Sequence, residues 1–230
     1  NAKESIDDFA DNVTDTERWD GTISTDFAEG GINYTVDTPF GKRLFATYTG
    51  PTGVEVFDRK GKMTLTPAVT DYTLSTRLNT PLEGSPLGAN LDNFSGIAIQ
   101  VSADDTTYVF AGFINTVANP FSVVMGEYDG GVLTIGSVVA LAAGTTSVDV
   151  AIEVDPVGAT YRGHYSLGLT GQDFGGASWT PIGAAVAEPA AWGGAVVPRI
   201  HASFPSGISR SLCAPITVVE TQTPDRTKST

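Results

Sequence analysis

Few residues of the chain have the types and spacing that catalytic or metal sites need. Glu153 and Asp155 stand at alternate positions of one run, and paired carboxylates facing a sugar are what glycoside hydrolysis uses. Pro156 ends that run, which argues against a working pair. The two histidines and one cysteine show no CxxC or HxxxH spacing, so a zinc site is not indicated. No GxSxG, Walker or GxGxxG motif supports acyl-transfer or nucleotide chemistry.

The acidic pair lies in a predicted β-hairpin. Residues 148–154 alternate apolar with polar or small side chains, a pattern typical of a strand with one buried face. The sequence DPVG then predicts a turn, because proline presets one backbone angle and glycine permits another. A second alternating run follows at residues 161–167. Its polar positions include Arg162 and His164.

Short runs rich in β-branched and aromatic residues recur at about ten-residue intervals along the whole sequence, without a helical period. This spacing predicts a β-sandwich or barrel. The other predicted strands are Ile6 to Phe9, Ile32 to Val36, Arg43 to Thr47, Val54 to Phe57, Met63 to Thr66, Asp71 to Leu78, Ser95 to Val101, Thr107 to Phe113, Phe121 to Tyr128, Val132 to Ala140, Ala195 to Phe204 and Ile216 to Glu220. Residues 79–93 are predicted to form a long loop, either for binding or as a surface insertion.

Composition limits the classes of partner. The 230 residues include 13 basic and 26 acidic side chains, and a net charge of −13 repels nucleic acid and anionic membranes. No apolar run approaches the roughly 20 residues that span a bilayer, so we expect no membrane insertion. Cys213 is the only cysteine, which excludes an intrachain disulfide and leaves a buried thiol or an intermolecular bridge. We expect one domain over residues 1–220 and a polar tail over 221–230.

The order of several motifs resembles a known fold family. These motifs are DDFADN and DTERW near the start, GVEVFDRKGKMTLTP, SGIAIQVSADDTTYVFAGF, IEVDPVGATYRGHYS, GGASWTPIG, and PRIHASF followed by ITVVE. Together they resemble the concanavalin A-like (laminin-G-like) β-sandwich, most closely the C-terminal module of family 43 β-xylosidases and related stand-alone proteins. The resemblance implies a single-domain, all-β jelly roll of two antiparallel sheets, with the terminal strands adjacent in one of them.

The resemblance also implies a glycan site and a structural calcium ion. Glycan sites use aromatic rings that stack on sugars and planar polar groups that hydrogen-bond to sugar hydroxyls. The candidates for these contacts are Arg162, His164, Trp192, Trp179 and Arg77. Core packing is the alternative for the aromatic residues, and pairing with Glu153 is the alternative for Arg162. For calcium, which related sandwiches often hold between terminal segments, Asp7, Asp8 and Asp11 offer oxygen ligands. Turn capping is the ordinary role of such residues.

The resemblance favours a non-catalytic protein over an enzyme, because the ExDxxE strand of related family 16 hydrolases is incomplete here. The leading hypothesis is a β-sandwich that acts at a surface by glycan recognition or adhesion, with carbohydrate or other surface subunits as partners. This implies an extracellular location or one on a cell or virion surface. A second hypothesis is a structural or decoration subunit of an assembly such as a virion capsid or tail, in which a homo-oligomer would be expected. A glycoside hydrolase or polysaccharide lyase is the third.

Overall fold

The computed structural model describes residues 3–7, 17–20, 27–32, 43–48, 54–65, 71–79, 91–101, 105–143, 145, 147–167, 179–189, 195–205, 209–213 and 216–220. Every regular element in these ranges is a β-strand, and all of the strand pairs are antiparallel. Within the same ranges, no helix has the length and apolar character needed to cross a bilayer.

The strands form three sheets. Sheet I contains β1 (Lys3–Asp7), β6 (Tyr72–Asn79), β11 (Ser147–Asp155), β12 (Thr160–Ser166), β13 (Thr180–Pro181), β14 (Val186–Ala187) and β17 (Ile216–Glu220). Sheet II contains β2 (Trp19–Asp20), β5 (Val54–Gly61), β7 (Phe94–Val101), β8 (Tyr108–Ile114), β9 (Ser122–Asp129), β10 (Val132–Ala140) and β15 (Val196–Pro205). The small sheet III contains β3 (Phe27–Ile32), β4 (Arg43–Tyr48) and β16 (Ser209–Cys213).

The strand order confirms the predicted jelly-roll sandwich of two antiparallel sheets. Sheet I runs β1-β17-β6-β11-β12-β13, with β14 also paired to β12, and sheet II runs β10-β9-β8-β7-β15-β5-β2. As the resemblance implied, the first and last strands are neighbours, with Lys3 opposite Val219. Sheet III, in the order β16-β4-β3, was not predicted as a separate sheet.

The core lies between sheets I and II, where alternation turns the apolar side of each strand inward. Leu74 and Ile152 from sheet I pack in one buried cluster with Ile97 and Phe113 from sheet II. Burying each such side chain stabilises the fold by about 1.5–3 kcal/mol relative to leaving it exposed. A glycine brings the two sheets close together, because the backbone nitrogen of Gly163 lies 3.3 Å from the Met125 sulfur.

The three predicted hairpins form as expected, joining β7 to β8, β9 to β10 and β11 to β12. Gly130 and Gly131, with φ of 57° and 82°, make the tight turn between β9 and β10 that requires positive φ at both positions. Other boundaries differ from prediction. The strand expected at Met63 to Thr66 is only a single bridge between Leu65 and Val196. The predicted tail and most of the predicted loop lie outside the described residues.

Candidate functional site

The side of sheet I that faces away from the core is lined mainly by polar residues, and we call it the polar face. The alternation that buries Val150 and Ile152 turns their neighbours on β11 the other way. Register then aligns the outward residues of β6, β11 and β12 in rows. The polar face consists of Thr73, Ser75, Arg77, Asp149, Ala151, Glu153, Asp155, Thr160, Arg162, His164 and Ser166.

Most of the polar face is covered, and only the end beside the DPVG turn is partly open. Ser75, Arg77, Asp149 and Ala151 are all at most 1% exposed, so this part of the face is closed to solvent. At the open end, a depression of about 190 Å³ lies over the end of the β11–β12 hairpin. Its lining consists of Asp71, Glu153, Asp155, Thr160, Tyr161, Arg162 and Ala185. Three carboxylates and one guanidinium therefore share a small, partly open space.

Glu153 is oriented by a neighbour on β12. Its Oε2 lies 2.8 Å from Nε2 of His164, in a diagonal contact between adjacent strands. The hydrogen bond to His164 is the main cause that holds the pKa of Glu153 below its ordinary value, and the nearby charges of His164 and Arg162 act in the same direction. Burial opposes this shift. Glu153 is therefore a positioned carboxylate that stays ionised at neutral pH.

Arg162 has no comparable partner. It stands opposite Glu153 in the register, yet no carboxylate among the described residues lies within ion-pair distance of its guanidinium. Its Nε is buried and, within the described part of the chain, no atom accepts a hydrogen bond from it. The predicted alternative, in which Arg162 pairs with Glu153, does not occur, because the Glu153 carboxylate is turned toward His164. Arg162 keeps donors for another molecule.

The turn below the depression fixes the third carboxylate. In the DPVG turn, the Gly158 N–H donates to Oδ1 of Asp155 at 2.7 Å, and Ala159 follows with φ of 50°. One oxygen of Asp155 thus holds the turn. On the inner side, the Tyr161 hydroxyl donates to Oε2 of Glu127 at 3.1 Å and ties the hairpin to sheet II. The depression consequently has a rigid base.

Asp71 completes the acidic rim from the start of β6. Partial burial is the main cause that raises its pKa above the ordinary value, and repulsion by Asp155 and Glu153 adds to it. Asp71 is not among the site residues predicted from the sequence. Its only signal was its position at the head of the alternating run DYTLSTRL, which does not reveal that β6 pairs with β11.

A pH test follows from the raised pKa of Asp71. A raised pKa means that the folded state favours protonated Asp71, so its ionisation costs stability as pH rises through the ordinary range of a carboxyl and above it. Asp71→Asn should therefore raise Tm at neutral pH by about 1–2 °C, and the gain should vanish in acid, where both states are protonated. Thermal melts at several pH values measure this. Asp129→Asn, at an exposed hairpin end, is the matched control. Equal gains in both variants would contradict a penalty specific to Asp71 from burial and repulsion.

The structure brings some of the predicted glycan residues together and separates others. Arg162 and His164 share the polar face. Trp179 is half-buried just before β13, and continuing the register of β13 along β12 places it opposite Ser166, on the same face. Arg77 is buried in a bidentate pair with Asp149, so we assign it a structural role instead of a ligand contact. Trp192 lies outside the described residues.

The predicted calcium ligands are also largely outside the described part of the chain. Asp8 and Asp11 are not described, and Asp7 is the last residue of β1, opposite Ile216 across a bulge. Among the described residues, no group of three His, Cys, Asp or Glu side chains is arranged to hold a metal ion. The carboxylates at the depression therefore do not form such a group.

Comparison with known proteins identifies the fold. No protein-family model and no curated protein sequence matches the chain. Among solved structures, the exoplasmic/lumenal domain of VIP36 in its Ca2+/Man3GlcNAc-bound form is similar at a TM-score of 0.51 and 9% identity, over 94% of this chain and 90% of that one. Its Ca2+/Man-bound form gives a TM-score of 0.50 at 8% identity, over 90% of this chain and 85% of that one.

Glycoside hydrolase structures are also similar. The bifunctional GH43-CE protein of Bacteroides eggerthii gives a TM-score of 0.49 at 13% identity over 87% of this chain. The chain spans only 24% of that protein and at most 40% of the other GH43 chains compared. The similarity to VIP36, which covers nearly all of both chains, agrees with the strand order described above. The chain has the concanavalin A-like β-sandwich fold.

Proposed function

We propose that this protein is a non-catalytic β-sandwich that recognises glycans at a surface, through the depression around Arg162. The observation that carries the proposal is the half-buried Arg162, whose guanidinium forms no ion pair with any described residue although three carboxylates line the same depression. An arginine that is left with free donors inside a built depression is suited to a ligand that brings its own acceptors.

The donors and acceptors of the depression suit sugar hydroxyls. Each hydroxyl both donates and accepts, so it can accept from the Arg162 guanidinium and donate to Glu153 or Asp71. Hydrogen bonds to charged groups are about twice as strong as those between neutral groups, which favours a polyhydroxylated ligand over an apolar one. Because three carboxylates line the depression, we propose a neutral glycan and not an acidic one.

Neighbouring residues are proposed to support this contact. His164 positions Glu153. Trp179 lies on the same face opposite Ser166, four residues and thus about 13 Å along β12 from Arg162, so its ring is proposed to stack on a more distant sugar unit of an extended glycan. Trp192 is proposed as a further ring. VIP36, which shares the fold, has structures with bound sugars, and we propose the same class of ligand for this chain. A structural calcium ion at Asp7, Asp8 and Asp11, and a location outside the cell or on a surface, belong to the proposal as well.

Binding to an array of immobilised neutral and acidic glycans tests the proposal, followed by titration of the strongest neutral glycan. Arg162→Ala should weaken that binding about 10- to 100-fold, because it removes charge-assisted hydrogen bonds worth about 1.5–3 kcal/mol. Arg162→Lys should lose part of the affinity, since it keeps the charge and loses the planar fork. Lys62→Ala, which removes an exposed cation just after β5, is the control and should bind normally.

Two results would overturn the proposal. One is an array on which the unmodified protein binds no glycan above background. The other is an Arg162→Ala variant that retains full affinity, which would move the site elsewhere even if glycans bind.

Glycoside hydrolysis is the second candidate, and one specific observation favours it. Within one depression the pKa of Asp71 is raised and that of Glu153 is lowered, and an acid and a base with separated pKa values are what such hydrolysis employs. Product analysis of the bound glycan distinguishes the candidates. Release of shortened sugars that is lost in Glu153→Gln would replace recognition by hydrolysis as the function.

A further inference from the structure

The strand β10 forms one edge of sheet II and is unusual in its composition. It pairs with β9 along one side, and no described residue hydrogen-bonds to its other side. Its nine residues, VLTIGSVVA, include no charged residue and no proline, in a chain whose net charge is −13. Soluble proteins usually protect an edge strand with lysine, proline or an inward charge, because its free N–H and C=O groups invite pairing. β10 has none of these.

A single bulge interrupts β10 and divides it into two arms. The register shifts between Ile135 and Ser137, so one arm is Val132–Ile135 and the other is Ser137–Ala140. Before the bulge, Leu133 and Ile135 point away from the main core, and after it Val138 and Ala140 do so. The bulge prevents one continuous ladder of hydrogen bonds along the free edge, but each of the two short arms remains a regular strand.

Apolar surface accompanies this edge. Leu133, Ile135 and Val138 are only half-buried and continue a second apolar cluster that includes Phe110 and Tyr128. At the start of the strand, Val132 is 67% exposed. A molecule paired to β10 would extend this cluster and cover these side chains.

We propose that β10 pairs with β10 of a second copy of this chain, antiparallel and about a two-fold axis at the bulge. Each arm then meets the opposite arm of the second copy, and Leu133 and Ile135 share a face with Val138 and Ala140 of the second copy. A second copy fits better than an anionic or cationic partner, because the strand offers no charge to attract one. Two chains of net charge −13 repel each other least where their contacting strands are uncharged.

Light scattering over a concentration series tests this pairing on the unmodified protein and on variants of Thr134, an exposed residue of β10. The unmodified chain should approach twice the 24.0 kDa mass of one chain as concentration rises. Thr134→Lys and Thr134→Glu should both remain single chains, because a charge at the paired edge is desolvated. Thr64→Lys, at an exposed position outside β10, is the matched control and should pair normally.

The two charges of opposite sign separate edge pairing from general repulsion. The Lys variant lowers the net negative charge of the chain. If general repulsion between chains alone controlled association, this variant would therefore associate more strongly than the unmodified protein. A single chain at all concentrations in the unmodified protein, or unchanged association in both Thr134 variants, would overturn the proposal. Hydrogen exchange supplies an independent measure: amides of β10 must become protected with association, and a dimer that leaves them unprotected would also overturn it.

Discussion

Replacing Arg77 with methionine is expected to destabilise the fold by about 3–5 kcal/mol, which lowers Tm by roughly 6–20 °C in a domain of this size. Nε and Nη2 of Arg77 lie 2.5 Å and 2.9 Å from the two carboxylate oxygens of Asp149. The side chains of the pair are 2% and 0% exposed. Removing the guanidinium leaves the Asp149 charge buried without its partner, and that uncompensated charge dominates the cost.

The double variant Arg77→Met/Asp149→Leu should regain most of that loss, because replacing a whole buried ion pair by apolar side chains is often neutral. Urea unfolding of the single and double variants measures the coupling. Lys62→Met is the matched control: Lys62 lies 3.4 Å from Asp20 with side chains 42% and 67% exposed, and its loss should cost at most about 1 kcal/mol. An Arg77→Met variant as stable as this control would contradict the prediction that the buried pair matters more than an exposed one.

Adding one methyl group at Gly112 is expected to destabilise the fold by about 3 kcal/mol. A Cβ at this position would overlap the Ser95 carbonyl oxygen and would lie 2.6 Å from two ring atoms of Phe94. The oxygen belongs to the backbone of the adjacent strand β7, so it cannot move aside without breaking the ladder. Phe94 itself is 1% exposed and packs edge-on against Phe110, which leaves its ring no room to turn.

Urea unfolding of Gly112→Ala against Gly136→Ala measures this effect. At Gly136, in the same sheet, a Cβ would meet nothing closer than 3.5 Å, an ordinary contact, so the change there should stay within about 0.5 kcal/mol. Similar free energies of unfolding for the two variants would show that β7 and β8 can move apart at Gly112 at little cost.

Local pairing was predictable from the sequence, and long-range pairing was not. The alternation around the DPVG turn predicts both the hairpin of β11 and β12 and the face on which Arg162 and His164 lie, because both depend on neighbours in sequence. The same alternation places Arg77 on the polar face of β6. It does not predict that this part of the face is covered, so it leaves an apparently outward arginine that is in fact 1% exposed.

The candidate site was only partly predictable for the same reason. Asp71 joins Glu153 and Asp155 because β6 pairs with β11, with Tyr72 opposite Val154, across a sequence separation that no turn signal bridges. Similarly, the contact between His164 and Glu153 depends on the side-chain conformations of both residues, whereas the spacing offered only Arg162 as an alternative partner of Glu153. Strand alternation therefore predicts on which face of the sheet a residue lies, whereas its contacts depend on tertiary packing.

The position of β17 between β1 and β6 has a consequence for how the chain folds. Among the described strands of sheet I, Lys3–Asp7 pairs with Ile216–Glu220 alone. The first described strand therefore cannot join the sheet until the last one has been synthesised and paired. Closing that loop costs conformational entropy before any contact compensates, which makes folding of such a topology slow. During synthesis on the ribosome, β6 would present a bare edge until β17 emerges. Chaperones that shield unpaired strands would be needed most at that stage.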